Sequence, residues 1–183
     1  FGVGTKLATC YDQPALGGVY KLAARRDPGD ESLTPVVKLS EQPYKRTIPG
    51  VQQVRRYMDE AGSPVCDMIY DEAYLEGEGD ARGTTLVAVN DAALVTSVAG
   101  MPYRELLVPV VRDGQATGPR EPLSAARERC AAALEALDPE YKRFLYPQSY
   151  VVGMEAGLAR VRDELVRERM NAAASHMPWK APK

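Results

Sequence analysis

The sequence predicts an α+β fold, with strands in its first half and helices in its last third. Residues 64–70 are a short run rich in valine, isoleucine and tyrosine that follows a glycine turn, which is typical of a strand. In residues 155–170 apolar side chains recur at helical spacing, which is typical of an amphipathic helix. The apolar positions are Leu158, Val161, Leu165 and Val166.

Length and charge bound the class of protein. The 183 residues suggest one domain, or one domain and a fragment of another. The net charge is −2, from 23 basic and 25 acidic residues, so no overall field favours nucleic acid or an anionic membrane. No stretch approaches the roughly 20 apolar residues that a membrane-spanning helix needs. We therefore expect a globular protein.

The cysteines argue against a disulfide framework or a zinc site. Cys10, Cys66 and Cys130 are widely spaced, odd in number and accompanied by a single histidine, His176. We expect reduced thiols.

The first predicted unit is an antiparallel hairpin. Residues 19–24 and 35–40 are rich in β-formers, and the polar segment between them contains the turn signal Asp27-Pro28-Gly29-Asp30. Residues 40–50 contain two prolines, so we expect an irregular segment held by tertiary contacts or by ligand.

The middle of the chain alternates short elements with turns. Residues 51–59 fit a strand or a short helix, and residues 72–82 predict an exposed acidic loop. Without fixed spacing of oxygen ligands, the acids of this loop predict a solvated surface and no metal site. Further strands are predicted at 84–90 and 106–112, closed by turns at 90–91 and 113–114.

Two helices dominate the last third. An alanine-rich helix that extends to about Leu137 is predicted after Pro122-Leu123-Ser124, with one face formed by Ala126, Cys130, Leu134 and Leu137. Asp138 and Pro139 predict a second, short helix, since aspartate caps a helix and proline suits its first position. Residues 149–153 are expected to be extended, the 155–170 helix to cover its own sheet, and residues 171–183 to be loosely held.

The start of the chain carries a possible phosphate-binding turn. Gly2, Val3, Gly4 and Thr5 could bring backbone N–H groups and a hydroxyl onto one anion, because glycine lets the backbone approach closely. Gly-x-Gly also occurs in ordinary tight turns, so the pattern alone leaves both interpretations open. The chain begins in mid-motif without methionine, and we expect it to be the carboxy-terminal part of a longer protein.

Taken in order, the motifs of the chain resemble those of nicotinate phosphoribosyltransferases. The glycine turn is followed by a second glycine motif, then by a pattern of lysine, serine, lysine, threonine, proline and glycine, and by Tyr150 before the last helix. The resemblance covers about residues 1–168 and corresponds to about the carboxy-terminal third of such an enzyme. The matching residues are Gly2, Val3, Gly4, Thr5, Leu16, Gly17, Gly18, Val19, Tyr20, Lys21, Leu22, Lys38, Leu39, Ser40, Pro43, Lys45, Thr47, Pro49, Gly50, Gly62, Ser63, Pro64, Asp67, Met68, Leu123, Ser124 and Tyr150.

The resemblance implies a cytoplasmic enzyme of NAD salvage. Such an enzyme joins nicotinic acid to phosphoribosyl pyrophosphate with coupled ATP hydrolysis, and Mg²⁺ accompanies the phosphates. The family's fold implies an irregular α/β barrel and an α+β domain, in a homodimer. By this resemblance residues 1–16 end the barrel with the phosphate-binding turn, 17–170 form the carboxy-terminal α+β domain, and 171–183 are a tail.

The resemblance transfers few site residues. Gly2, Val3, Gly4 and Thr5 match the turn that holds the ribose 5′-phosphate. Gly17 and Gly18 fit the same region, although a plain turn explains them equally well. The family's catalytic histidine has no counterpart here, since His176 lies far from any motif, so the chain alone is expected to be inactive.

Several cations could contact ATP or pyrophosphate, since positive charge stabilises a transferred phosphate group. Lys21 and Lys45 are the stronger candidates, whereas Lys38, Arg46 and Arg55 are weaker ones that surface ion pairs would also explain.

Two other functions stay open at this point. One is a non-catalytic structural or interaction domain that keeps the glycine loop as a turn. The other is a different pyridine phosphoribosyltransferase, for nicotinamide or quinolinate, although the pattern of residues 38–50 favours nicotinate.

Overall fold

A six-stranded mixed sheet lies at the centre of the computed structural model, which describes residues 2, 4, 18, 20–40, 42 and 45–175. The strands of the chain are β1 (Ala24–Arg25), β2 (Thr34–Pro35), β3 (Gln53–Met58), β4 (Pro64–Tyr70), β5 (Thr85–Ala88), β6 (Val95–Ser97), β7 (Tyr103–Glu105), β8 (Val111–Arg112), β9 (Gln115–Ala116) and β10 (Val151–Glu155). The order of strands in the central sheet is β6-β5-β10-β4-β3-β7, and every neighbouring pair is antiparallel except β10 and β4.

The core lies on both faces of this sheet. On one face Tyr57, Cys66, Met68, Leu86 and Val98 form a buried cluster. On the other face the final helix packs against β5 and β10, with Leu158 fully buried and Nη1 of Arg162 at 3.5 Å from Sδ of Met154. The two helices are α1 (Leu123–Glu135) and α2 (Ala156–Ser175). A mixed α+β fold, as predicted, is therefore confirmed.

The predicted hairpin is present but shorter. β1 and β2 are antiparallel, and the N–H of Asp30 donates to the carbonyl of Asp27 in the expected turn. The strands span two residues each, whereas 19–24 and 35–40 were predicted. After Pro35 the strand pairing ends, and a backbone group of the predicted second strand bonds a side chain: the N–H of Lys38 donates to Oγ1 of Thr47 at 2.8 Å.

Tertiary contacts hold the described part of the irregular segment, which is one of the two alternatives predicted for it. Besides the Lys38–Thr47 bond, the N–H of Gly50 donates to the carbonyl of Ala23 at 2.8 Å. The adjacent N–H of Val51 donates to Oδ2 of Asp71 at 2.6 Å. Residues 53–58 are a strand, which resolves the alternative left open for 51–59.

The prediction of one strand over 106–112 is wrong. The pairing residues are Tyr103–Glu105 and Val111–Arg112, because Pro109 between them has no N–H to donate to a ladder. The strand Val95–Ser97 was not predicted, since its side chains are exposed and carry no alternating pattern. The predicted acidic loop contains two 3₁₀ helices, Glu72–Tyr74 and Gly79–Ala81.

Both helices differ from their predictions in one respect. α1 has the expected span, but none of its residues is buried, so its predicted apolar face is not a core face. α2 continues to Ser175, so residues 171–175 are helical where a loose tail was predicted. Residues 176–183, including His176, lie outside the described residues. In the described part of the chain, no helix has the length and apolar character required to cross a bilayer.

The reactivity of Cys66 tests whether the buried cluster is closed to solvent in the folded protein. Burial raises the pKa of its thiol to about 11, whereas Cys130 on α1 is exposed. We expect an alkylating reagent at pH 8 to modify Cys130 in the native protein and Cys66 only after unfolding, as measured by peptide mass.

Because the pKa of Cys66 is higher in the folded state, its contribution to stability is present below pH 9 and lost as the pH rises towards 11. Burial raises the pKa of Tyr150 and Tyr57 as well, so these two side chains also contribute to the loss of stability at high pH. The free energy of unfolding should therefore fall less steeply over this pH range in Cys66→Ala than in the unsubstituted protein. Equal slopes would contradict this account.

Candidate functional site

The predicted phosphate turn is only partly within the described residues. Gly2, Gly4 and Gly18 are exposed, and a Cβ added to any of them would meet no atom within 4 Å. Val3, Thr5 and Gly17 lie outside the described residues. The role of this turn in holding a phosphate therefore stays a prediction.

The structure does place several cations together in an open groove. The groove has a volume of about 680 Å³ and lies between the β1–β2 hairpin region and α2. Its described lining contains four basic side chains and no carboxylate. The lining residues are Tyr20, Lys21, Leu22, Arg25, Val36, Val37, Lys38 and Arg169. We refer to it as the basic groove.

The charge of the basic groove suits a ligand that carries phosphates. A concave surface lined by one sign of charge concentrates ions of the opposite sign. One of its cations, Arg25, also contacts the exposed carboxylate of Asp27 at 3.3 Å. Lys21 is exposed, and its Nζ donates to the carbonyl oxygen of Tyr20 at 3.3 Å. The apolar groups of the lining could pack against a sugar or a ring.

Of the two lysines predicted from the sequence, Lys21 lies in the basic groove. Lys45 is not among its lining residues; its N–H donates to the carbonyl of Gln42 in the irregular segment. The neighbouring Arg46 lines a smaller cavity of about 330 Å³ against the middle and later turns of α2. The ligand roles of both lysines therefore stay predictions, and of the two only Lys21 lines the basic groove.

Arg55, a weaker candidate, is engaged within the protein. Its Nε donates to Oε1 of Glu105 at 2.9 Å, and its guanidinium stacks between the rings of Tyr70 and Tyr103 at 4.2 and 4.6 Å. Burial, together with the hydrogen bond to Glu105, raises the pKa of Tyr70 to about 12. Arg55 thus stabilises one face of the sheet.

Two groove residues, Arg25 and Arg169, were not predicted from the sequence. Arg25 directly follows the predicted first strand, and Arg169 lies near the predicted end of the helix. Only the packing of α2 beside the hairpin brings them together. The sequence shows only that each of the two is a basic residue near the end of a predicted strand or helix. Basic residues are too common at such positions to indicate a binding site.

The position of α2 depends on a buried carboxylate at its start. Glu155 is fully buried, and its Oε2 accepts from the N–H groups of Gly157 and Leu158 at 2.7 and 3.2 Å. Its Oε1 accepts from the N–H of Glu76 at 3.1 Å. These bonds satisfy N–H groups at the helix start and tie α2 to the segment after β4.

The Mg²⁺ that the resemblance implies stays a prediction. Magnesium is held by carboxylate and other oxygen ligands, and no group of three or more potential ligands occurs in the part of the chain that the structure describes. Because Mg²⁺ in enzymes that act on phosphates is usually held by one or two carboxylates together with the substrate's phosphates, this finding does not decide whether the whole enzyme binds it.

Comparison with known proteins identifies the family. Residues 51–162 match the family model described as the nicotinate phosphoribosyltransferase C-terminal domain. The chain is 32% identical over 164 residues to the human nicotinate phosphoribosyltransferase, covering 90% of this chain and 29% of that protein. It is 30% identical over 154 residues to the Bacillus subtilis nicotinate phosphoribosyltransferase, covering 84% of this chain and 31% of that protein.

A solved structure agrees with these matches. The crystal structure of human nicotinic acid phosphoribosyltransferase superposes with a TM-score of 0.55 and 27% identity, covering 65% of this chain and 23% of that one. The chain thus spans under a third of the length of these curated relatives. Its family match includes β3, β4, β10 and the start of α2, which are the core of the fold. The chain belongs to the nicotinate phosphoribosyltransferase C-terminal domain family.

Proposed function

We propose that this chain is the carboxy-terminal part of a nicotinate phosphoribosyltransferase. The whole enzyme would form nicotinate mononucleotide and pyrophosphate from nicotinic acid and phosphoribosyl pyrophosphate, with coupled ATP hydrolysis and Mg²⁺, as a step of NAD salvage in the cytoplasm. It would be a homodimer whose irregular α/β barrel carries the remaining site residues. The observation that carries this proposal is the family match over residues 51–162.

The basic groove supports a phosphate-binding role for this part of the enzyme. Phosphoribosyl pyrophosphate carries phosphates at two ends of its ribose, so it requires cations or N–H donors at two places. We assign the ribose 5′-phosphate to the turn formed by Gly2, Val3, Gly4 and Thr5, and a second phosphate group to Lys21 in the basic groove. Gly17 and Gly18, shortly before Lys21, and Lys45 are weaker contacts.

The reaction explains why cations are needed. The ring nitrogen of nicotinate forms a bond to C1 of the ribose while the bond from C1 to the pyrophosphate oxygen breaks. The leaving pyrophosphate takes the electron pair and gains negative charge, which nearby cations stabilise. The groups that bind nicotinate and the catalytic histidine would belong to the rest of the enzyme, so the 183-residue chain alone would be inactive.

The assignment predicts a selective effect on the phosphoribosyl donor. In the full-length enzyme, Thr5→Val and Lys21→Ala should each raise the KM for phosphoribosyl pyrophosphate on the order of tenfold, since about 1.4 kcal/mol of lost binding is a factor of ten. The KM for nicotinate should change little. Steady-state rates of nicotinate mononucleotide formation at varied donor concentration measure both constants.

Arg112→Ala is the matched control, because Arg112 is an exposed cation of the β8–β9 hairpin outside the basic groove. It should leave both KM values unchanged. An unchanged donor KM in Thr5→Val or Lys21→Ala would refute the role of that residue. Absence of nicotinate mononucleotide formation by the unsubstituted full-length enzyme would refute the proposed function itself.

A further inference from the structure

The loop of residues 140–148 presents three large apolar side chains at its tip. Phe144, Leu145 and Tyr146 are 97%, 66% and 91% exposed. Single exposed apolar residues are ordinary on protein surfaces, whereas three in succession, two of them aromatic, are unusual outside interfaces. We call these three residues the apolar tip.

The loop that carries the apolar tip is closed by internal bonds. The N–H of Gln148 donates to the carbonyl of Glu140 at 3.0 Å, which joins the two ends of the loop. At the entry to the loop, Oδ1 of Asp138 accepts from the N–H of Glu140 at 2.7 Å. Nζ of Lys142 donates to the last carbonyls of α1, those of Leu134 and Glu135, at 3.1 and 3.3 Å.

A chain of side chains also anchors the loop to the central sheet. The rings of Tyr141 and Tyr150 meet edge to face, with centroids 5.4 Å apart. The hydroxyl of Tyr150 donates to Oδ1 of Asp67 on β4 at 2.9 Å. Arg56 on β3 holds the same carboxylate through two bonds of 2.8 and 2.7 Å. The sheet therefore fixes the place at which the loop leaves the domain.

Tyr146 adopts a backbone conformation that costs energy. Its φ is 51°, in the left-handed region that side chains other than glycine rarely occupy. Such a conformation persists when its surroundings impose it, and it is common at binding sites. Here it turns the chain so that Tyr146 follows Phe144 and Leu145 into solvent.

The basic residues beside the apolar tip are bonded within the chain, so an apolar pocket suits the tip better than a charged surface. Arg143 forms an ion pair with Glu140, and Lys142 is bonded to carbonyls of α1. The cations that flank the tip are therefore already engaged within the chain. Binding would then depend on burial of the aromatic and leucine side chains, as at the hot spots of protein interfaces.

From these contacts we infer that the apolar tip docks in a pocket of the amino-terminal part of the same polypeptide in the full-length enzyme. This inference rests on the proposed function, because it requires the rest of the enzyme. The relatives have more than two thirds of their length outside the region that this chain matches, which provides the partner surface.

The apolar tip is too small to hold two free proteins together, so its partner must already be held close to it. Three such side chains can bury roughly 500 Å², whereas a stable association of separate proteins buries about 800 Å² on each partner. A covalently linked partner is present at an effective concentration of about millimolar, so a small contact is sufficient.

Thiol labelling in the full-length enzyme tests this inference. Leu145→Cys places a thiol in the tip and leaves both aromatic anchors in place. If the tip is docked, an alkylating reagent should modify position 145 at least about tenfold more slowly in the native enzyme than in urea. Ala92→Cys, in the exposed turn after β5, is the control and should react at nearly the same rate in both conditions. Peptide masses separate these thiols from the natural cysteines.

A second variant identifies the partner. Phe144→Asp should release the tip, so that Leu145→Cys in the same protein reacts as fast as Ala92→Cys, while the mass in sedimentation stays that of the unsubstituted enzyme. When the unsubstituted background is diluted until sedimentation shows single chains, position 145 should stay protected; fast labelling there would show that a second copy holds the tip and would overturn the inference. Fast labelling at position 145 in the unsubstituted background, or protection that appears only with phospholipid vesicles, would also overturn it. Each of these results leaves the proposed function standing if nicotinate mononucleotide is still formed.

Discussion

Replacing Glu155 with alanine is expected to destabilise this domain by about 3 kcal/mol or more. The side chain is fully buried and accepts hydrogen bonds from three backbone N–H groups, those of Gly157, Leu158 and Glu76. Each buried donor left without a partner costs about 1–3 kcal/mol. The free energy of unfolding, from urea titration followed by circular dichroism, measures the loss.

Two further variants show whether the loss of stability comes from the hydrogen bonds of Glu155 or would follow from any substitution in or beside α2. Glu155→Gln keeps the shape and one acceptor oxygen, so its loss should lie between those of the unsubstituted protein and Glu155→Ala. Glu164→Ala, on the same helix, removes only an exposed carboxylate 3.6 Å from Arg160 and should change stability by less than about 0.5 kcal/mol. If Glu155→Ala were no less stable than Glu164→Ala, the capping role would be refuted.

Gly157→Ala should also destabilise the domain, by about 3 kcal/mol. Alanine normally favours a helix over glycine by about 1 kcal/mol, so the sign here is reversed. A Cβ at position 157 would overlap the carbonyl oxygen of Tyr74 and lie 3.0 Å from Oε2 of Glu155. Backbone cannot yield as a flexible side chain does, so α2 or the Glu72–Tyr74 helix must shift.

Gly118→Ala is the matched control for this substitution. Gly118 has no atom within 4 Å of the position that a Cβ would occupy, and it is exposed. Its replacement should change the free energy of unfolding by less than about 0.5 kcal/mol. Equal stability of the Gly157→Ala and Gly118→Ala proteins in urea would show that α2 does not approach the Tyr74 carbonyl closely.

Glu155→Ala and Gly157→Ala are also expected to change the shape of the basic groove. The groove combines the hairpin region with Arg169, which is near the end of α2. A shift at the helix start is carried along its length, because a helix moves as a stiff unit. Variants that retain their fold should therefore weaken phosphate binding by the full-length enzyme as well as stability.

Elements defined by short-range rules were predictable from the sequence. The strand Pro64–Tyr70 has its predicted bounds, since β-formers end at a proline on one side and at Asp71 on the other. The turn at residues 27–30 and the Asp138 cap depend on groups a few positions apart, and both are present. The start of α2 was predicted to within one residue from its apolar spacing.

The partners of these elements were decided by the tertiary structure. β10 lies between β5 and β4, and Asp67 bonds Arg56 and Tyr150, which no local pattern could indicate. Helical spacing predicted a buried face on α1, yet none of its residues is buried, because periodicity shows which side could be covered and not whether a partner covers it. The same limit applies to the candidate site. Local rules predicted the hairpin that carries Lys21, Arg25 and Lys38, whereas only the position of α2 in the folded chain brings Arg169 to the same groove, since long-range contacts depend on the whole chain.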